Sequence, residues 1–141
     1  FTYMENLRMT KQEIKEERKE TDGSPQIKQR IRTVQMEMAR KRMMSAVPEA
    51  DVIVTNPTHI SIAIKYDTLN FAAPLVVAKG VGPIAMRIRE IAKENNIPLV
   101  EDKPLARTLN KTVEVGQMIP ASLYKAVAEI LAYVYKLKHS S

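Results

Sequence analysis

The chain has 141 residues, which suits one domain with a single core and an extended tail. Apolar residues make up 45 % and charged residues 27 %, ordinary for a globular domain, and no apolar run approaches the roughly 18–20 residues that cross a bilayer. The absence of cysteine excludes disulfides, thiolate catalysis and Cys-based zinc sites, and the net charge of +6 is concentrated in 25–48, where Lys28, Arg30, Arg32, Arg40, Lys41 and Arg42 stand against Glu37 alone.

Residues 1–22 are strongly polar, with a charge-dense run from Lys11 to Glu20 and few apolar positions that repeat, namely Met4, Leu7 and Ile14. They read as a solvated helix or a linker that packs little. Asp22-Gly23-Ser24-Pro25 is a break, with Ser24 as a helix cap and Pro25 at the first helical position. The helix runs from Pro25 to about Ala46, with Ile27, Ile31, Val34 and Met38 at helical spacing, and Pro48 stops it. Its basic face reads equally as a solvated surface or as one that meets anionic lipid or nucleic acid.

Asp51-Val-Ile-Val-Thr55 reads as a buried strand, Asn56-Pro57 as a turn, and Ile60-Ser-Ile-Ala-Ile-Lys-Tyr66 as the hairpin partner. After a loop from Asp67 to Pro74, Leu75-Val-Val-Ala78 is a third strand, and Lys79-Gly80-Val81-Gly82-Pro83 a turn into a helix. That helix is expected to place Ile84, Ile88, Ile91 and Ala92 inward and Arg87, Arg89, Glu90, Lys93 and Glu94 outward, ending at Asn95-Asn96. Pro98-Leu-Val-Glu101 is a fourth strand. A strand, helix, strand succession of this length implies parallel strands with a right-handed crossover. Pro104 opens a short helix from Leu105 to about Lys111, and Pro120 opens the last, to about Lys138. The expected fold is α/β: a four-stranded mixed β-sheet surrounded by about four α-helices, with a long N-terminal linker helix.

Taken alone, Asn56-Pro57 is ordinarily just a turn. Proline presets φ near −65°, and the residue before it is driven to extended dihedrals. The pair also has a chemistry. Asparagine usually decays when the next backbone nitrogen attacks its side chain, and proline lacks the N–H for that. The remaining path is attack of the Asn56 side-chain amide nitrogen on its own backbone carbonyl carbon. It closes a succinimide and expels the Pro57 nitrogen. Geometry must supply much of the acceleration, because an amide is a poor nucleophile. Thr58 and His59 are the nearest groups to hydrogen-bond the amide, stabilise the oxyanion or protonate the leaving nitrogen. His59 reads equally as a strand-start histidine with a structural hydrogen bond.

Asp51-Val-Ile-Val-Thr-Asn-Pro-Thr-His59 resembles the hallmark of the export-switch family of flagellar and injectisome type III secretion (FlhB/YscU/SpaS). The resemblance continues through Ala73-Pro-Leu-Val-Val-Ala-Lys-Gly80, Arg87-Ile-Arg-Glu-Ile-Ala92, Asn95-Asn-Ile-Pro98, Pro104-Leu-Ala-Arg107, Val113-Glu-Val-Gly116, Ile119-Pro120 and Tyr124-Lys-Ala-Val-Ala-Glu-Ile-Leu131. It covers roughly 25–138, and Val-Ala-Lys-Gly80 favours the flagellar branch, with an injectisome homologue as the alternative. The resemblance implies that the chain is the cytoplasmic part of a bacterial inner-membrane protein. Residues 1–47 would be the linker from an upstream membrane domain, and 48–141 the self-cleaving domain. It implies a single cut between Asn56 and Pro57, with no turnover, that permits the switch from rod and hook subunits to filament subunits. The implied partners are exported flagellar subunits, a hook-length ruler protein, the cytoplasmic domain of the export-gate protein and the export ATPase complex.

Two apolar stripes share the last helix: Leu123, Val127, Ile130, Val134 and Leu137 make one, and Tyr124, Ala128, Leu131 and Tyr135 the other. The first is expected to pack on the sheet. The second, with Phe71-Ala72-Ala73-Pro74, is either further core or a docking patch for exported subunits centred on Ala73, Pro74, Ala128 and Leu131. No cofactor or metal is expected, because His59 and His139 lack ligand spacing. Gly80-Val-Gly82 is read as a tight turn over a phosphate site, and no Gly-x-Ser-x-Gly elbow supports a hydrolase. A basic nucleic-acid-binding module is a weaker alternative, since the aromatics are few and the basic residues scattered.

Overall fold

The computed structural model of the chain describes residues 24–57, 59–67, 69–70 and 72–139. The expectations for residues 1–22, Thr58 and Phe71 lie outside the described residues. The chain divides into two units, Phe1–Arg40 and Lys41–Ser141, so the division falls within the first helix rather than after it.

Helix α1 spans Pro25–Ala46, as the spacing and the flanking prolines predict. The Ser24 carbonyl accepts the N–H of Lys28 at 3.2 Å. Ile27, Ile31, Val34 and Met38, which stand at helical spacing, are all exposed, and no residue of α1 is buried. At the end of the helix Met43 and Met44 pack beside Val47, and a 3-10 turn at Val47–Glu49 follows.

The second unit is built on strands β1 (Val52–Asn56), β2 (Ile60–Lys65), β3 (Leu75–Val81) and β4 (Leu99–Glu101). Their order in the sheet is β3-β2-β1-β4. β1 pairs antiparallel with β2 and parallel with β4, and β2 pairs antiparallel with β3. The sheet is therefore mixed, and β1 sits inside it with a ladder on each side. β3 runs parallel to β4, and the connection between them passes over the two inner strands. Helices α2 (Pro83–Glu94), α3 (Lys103–Thr112) and α4 (Tyr124–His139) complete the unit.

Alternation along the strands sorts the core onto two faces. Val52, Val54, Ile60, Ile62, Ile64 and Val76 pack with Leu105, Ala106 and Leu109 of α3 and with Val127, Ile130 and Val134 of α4. Ile53, Ala63 and Ala78 pack with Ile88, Ile91 and Ala92 of α2. Each of these fully buried Ile or Val side chains contributes roughly 1.5–3 kcal/mol of transfer free energy. Two polar side chains are buried in the sheet and both are satisfied: Ser61 Oγ donates to the Ala85 carbonyl at 2.9 Å, and Thr55 Oγ1 to the Val100 carbonyl at 3.5 Å.

Several boundaries depart from the expectation for physical reasons. β3 continues through Lys79, Gly80 and Val81, which pair with Ile62, Ser61 and Ile60. Gly80 is thus a strand residue, not part of a turn. A Cβ there would lie 2.2 Å from Ile84 Cγ2, so the missing side chain is what lets the first turn of α2 sit on the strand. The turn into α2 is carried by Gly82 alone, at φ 57°, a conformation that favours glycine. On α2 the buried residue of the first turn is Ala85, while Ile84 is half-buried. α3 begins at Lys103, earlier than Pro104, because the Asp102 side chain caps it by accepting the Leu105 N–H at 3.1 Å. α4 begins at Tyr124, after a 3-10 turn at Ala121–Leu123 that follows Pro120. Leu137, expected on the packed stripe of α4, is 49 % exposed.

Candidate functional site

Asn56 is the last residue of β1, in register with Ile60 of β2. The two strands are joined by a tight turn. In it the backbone N–H of His59 donates to the Asn56 carbonyl oxygen at 3.0 Å, with Pro57 at the second turn position. Asn56 is half-buried; Pro57 and His59 are exposed. Proline suits this place because it presets the turn dihedral and has no N–H for the ladder to satisfy.

The residues around the turn are held from three sides. Just before Asn56, the buried Thr55 accepts the Asp102 N–H at its carbonyl, at 2.9 Å, beside the parallel ladder to β4. Just after the turn, the His59 carbonyl accepts the Gly82 N–H at 3.0 Å, so the N-terminus of α2 grips the start of β2. Between them, Arg89 Nη1 donates to the Pro57 carbonyl. Arg89 is half-buried on α2, and its guanidinium turns toward the turn rather than simply outward as the helix pattern predicts. Among the described residues, nothing hydrogen-bonds the Asn56 side-chain amide.

This arrangement can support one reaction of the chain on itself. The carbonyl oxygen that receives the His59 N–H belongs to the carbon that the Asn56 amide nitrogen would attack. A donor already at hydrogen-bond distance is in place for charge that develops on that oxygen. The structure brings Asn56, Pro57 and the His59 backbone together; Thr58 lies outside the described residues. Arg89 is a contact that sequence reasoning missed. Its only signal was an arginine on a helix packed behind the turn, and helical periodicity sorts such a residue to solvent.

A second feature lies away from the turn. Ala72, Ala73 and Pro74 and the α4 residues Tyr124, Ala128, Leu131 and Tyr135 line one apolar groove of about 740 Å³, with Asp51, Tyr66, Lys136 and Lys138 also in its lining. Ala73 is buried, Pro74 and Leu131 are half-buried, and Ala128, Tyr124 and Tyr135 are exposed. The second α4 stripe is therefore not core throughout. The loop side of the groove is fixed by backbone: the Pro74 carbonyl accepts the Ile119 N–H at 2.8 Å, and the Val76 N–H donates to the Gln117 carbonyl at 3.1 Å.

The chain belongs to the FlhB HrpN YscU SpaS family, whose model it matches over residues 1–134. It is 54 % identical over 138 residues to the flagellar biosynthetic protein FlhB of Escherichia coli, a match that covers 98 % of this chain and 36 % of that protein. The chain thus spans only about a third of the length of the curated relatives it matches. Its fold is that of the crystallised cytoplasmic domain of FlhB from Shewanella putrefaciens, with a TM-score of 0.69 and 50 % identity, covering 72 % of this chain and 78 % of that one. The C-terminal domain of EscU, solved with an Asn-to-Ala substitution, is similar at a TM-score of 0.63 and 34 % identity, covering 65 % of this chain and 92 % of that one.

Proposed function

We propose that this chain is the cytoplasmic part of a flagellar protein-export component at the bacterial inner membrane, and that it cuts itself once between Asn56 and Pro57. The reaction is a cyclisation. Asn56 Nδ2 attacks the Asn56 backbone carbonyl carbon, and a tetrahedral oxyanion forms on the oxygen that the His59 N–H already meets. The bond to Pro57 nitrogen then breaks. The proton lost from Nδ2 ends on that nitrogen, which becomes a secondary amine, and Asn56 is left as a C-terminal succinimide that water later opens. No external nucleophile, cofactor or turnover is needed. Thr58 and the His59 imidazole are candidates to carry the proton between the two nitrogens.

The observation that carries this reading is the 3.0 Å hydrogen bond from His59 N–H to the Asn56 carbonyl, in a turn whose next residue cannot offer an N–H for deamidation. It is supported by the 54 % identity to flagellar relatives. A cut would leave pieces of 56 and 141 − 56 = 85 residues. The first piece would keep β1 between β2 and β4, so the domain need not unfold. The cut would free the Pro57 end and permit the switch of exported cargo from rod and hook subunits to filament subunits.

Residues 1–47 are proposed to lead from an upstream membrane domain and 48–141 to form the switch domain. The groove around Ala73, Pro74, Ala128 and Leu131 is proposed to receive exported subunits. The hook-length ruler, the export-gate protein and the ATPase complex are the further partners this role requires. The experiment is denaturing mass analysis of the purified chain: two pieces that meet at Asn56/Pro57, and one uncut chain for Asn56→Ala, are expected. Two pieces from Asn56→Ala would rule out the cyclisation.

A further inference from the structure

We infer that Arg89 is a positioning residue for the self-cleavage proposed above, a role that exists only if Asn56–Pro57 is the bond that breaks. The upstream side of that bond is fixed by the sheet: Asn56 is in the ladder opposite Ile60, and its carbonyl is held by the His59 N–H. The downstream side is Pro57, which is exposed and has no N–H. Its carbonyl is the one backbone polar group by which the protein can hold it. Arg89 Nη1 takes that carbonyl, and a charged donor makes the stronger kind of hydrogen bond.

The anchor behind this contact is rigid. Arg89 follows Ile88, which is fully buried, and precedes Ile91 and Ala92, both buried in the core beneath the sheet. The same helix holds the other end of the turn through the Gly82 N–H on the His59 carbonyl. α2 therefore grips the turn at two carbonyls, those of Pro57 and His59, with the scissile bond immediately before the first. Attack of the Asn56 amide requires its nitrogen to approach the carbonyl carbon from one direction. That direction is set by rotation about the Cα–C bond of Asn56 and by its side-chain torsions, since the peptide bond to Pro57 is planar. With Pro57 unanchored, the leaving side can swing while the sheet side stays fixed, and the fraction of time in attack geometry falls. Arg87, on the same helix, is a built-in comparison: its Nη1 pairs with Glu90 at 3.0 Å, not with the turn.

The test follows cleavage of the full chain from synthesis, by pulse labelling and denaturing separation. Parent, Arg89→Met, Arg89→Lys and Arg87→Met chains are compared, and the Arg89→Met pair is also melted in the uncut Asn56→Ala background. Arg89→Met is expected to slow the appearance of the 57–141 piece by about 10- to 100-fold, the scale of a misplaced reacting group. Only one guanidinium nitrogen makes the contact, so Arg89→Lys is expected to restore part of the rate. Arg87→Met should cut like the parent, and the Tm of the uncut domain should be unchanged by Arg89→Met. Cleavage of Arg89→Met at the parent rate overturns the role, as does a rate loss accompanied by a matching loss of Tm without rescue by lysine. A parent chain that does not cut at Asn56–Pro57 overturns the cleavage reading itself, and is distinguished by that result alone.

Discussion

The backbone N–H of His59 lies 3.0 Å from the carbonyl oxygen of Asn56 and donates to it. One hydrogen bond thus closes the turn and occupies the position an oxyanion-stabilising donor would need. It divides the contribution of His59 into a backbone part and an imidazole part, and the two can be measured separately.

Removing a single preorganised oxyanion donor costs about 100- to 1,000-fold in rate. His59→Ala keeps the N–H and removes only the ring, so its cleavage is expected to slow by less than about tenfold, well short of that cost. Band intensities over time on a denaturing gel give the rate. A hundredfold loss, with the fold intact by circular dichroism, would assign the main contribution to the imidazole.

Gly80 and Ile84 make a second pair with a measurable coupling. A methyl at Gly80 would meet Ile84 at 2.2 and 2.8 Å, at Cγ2 and Cβ, neither of which is the free end of a long side chain. Gly80→Ala is expected to destabilise the second unit by about 1–3 kcal/mol in urea unfolding of the Asn56→Ala background. Adding Ile84→Ala should recover part of that loss, because the two residues share one space. Additive losses would show that the clash is not what the glycine avoids.

The groove between the 72–74 loop and α4 is expected to bind exported subunits through its apolar lining. Ala128 is exposed on that lining, so Ala128→Asp adds a charge there without disturbing the packed stripe of Val127, Ile130 and Val134. Titration of a labelled rod or hook subunit should give at least about tenfold weaker binding for this variant, since burying an unpaired charge is costly. Unchanged affinity in a variant that folds normally would move the docking surface elsewhere.

The pieces of a cut chain are expected to travel together. β1 is paired on both sides and contributes the buried Val52, Ile53 and Val54, so nothing in the cut removes its packing. Size exclusion in native buffer should give one peak containing both pieces, and denaturant should separate them. Separate peaks in native buffer would mean that the sheet depends on the intact turn.

The strands and helices were legible because their signals are local: alternation in Ile60–Lys65, helical spacing and bracketing prolines around α1 and α2. The proposed reacting pair rests on a chemical reason that needs no neighbours, since proline's missing N–H leaves asparagine one intramolecular path. What the sequence hid depends on distant neighbours. Gly80 reads as a turn glycine until the first turn of α2 is seen packed on it. Arg89 reads as a solvated helix residue until the turn 32 residues away in sequence is seen beneath its guanidinium. The apolar positions of α1 follow helical spacing, and Ile31 and Met38 are exposed, because periodicity reports a helix and not what covers it.

The central claim is that the Asn56 side chain cuts the chain at its own carbonyl, and intact mass under denaturing conditions tests it most directly. The account predicts two species, 1–56 and 57–141, whose masses sum to that of the uncut chain until the succinimide takes up one water, and a single uncut species for Asn56→Ala. A wild-type chain that stays whole, a cut at any other bond, or two pieces from Asn56→Ala would contradict it.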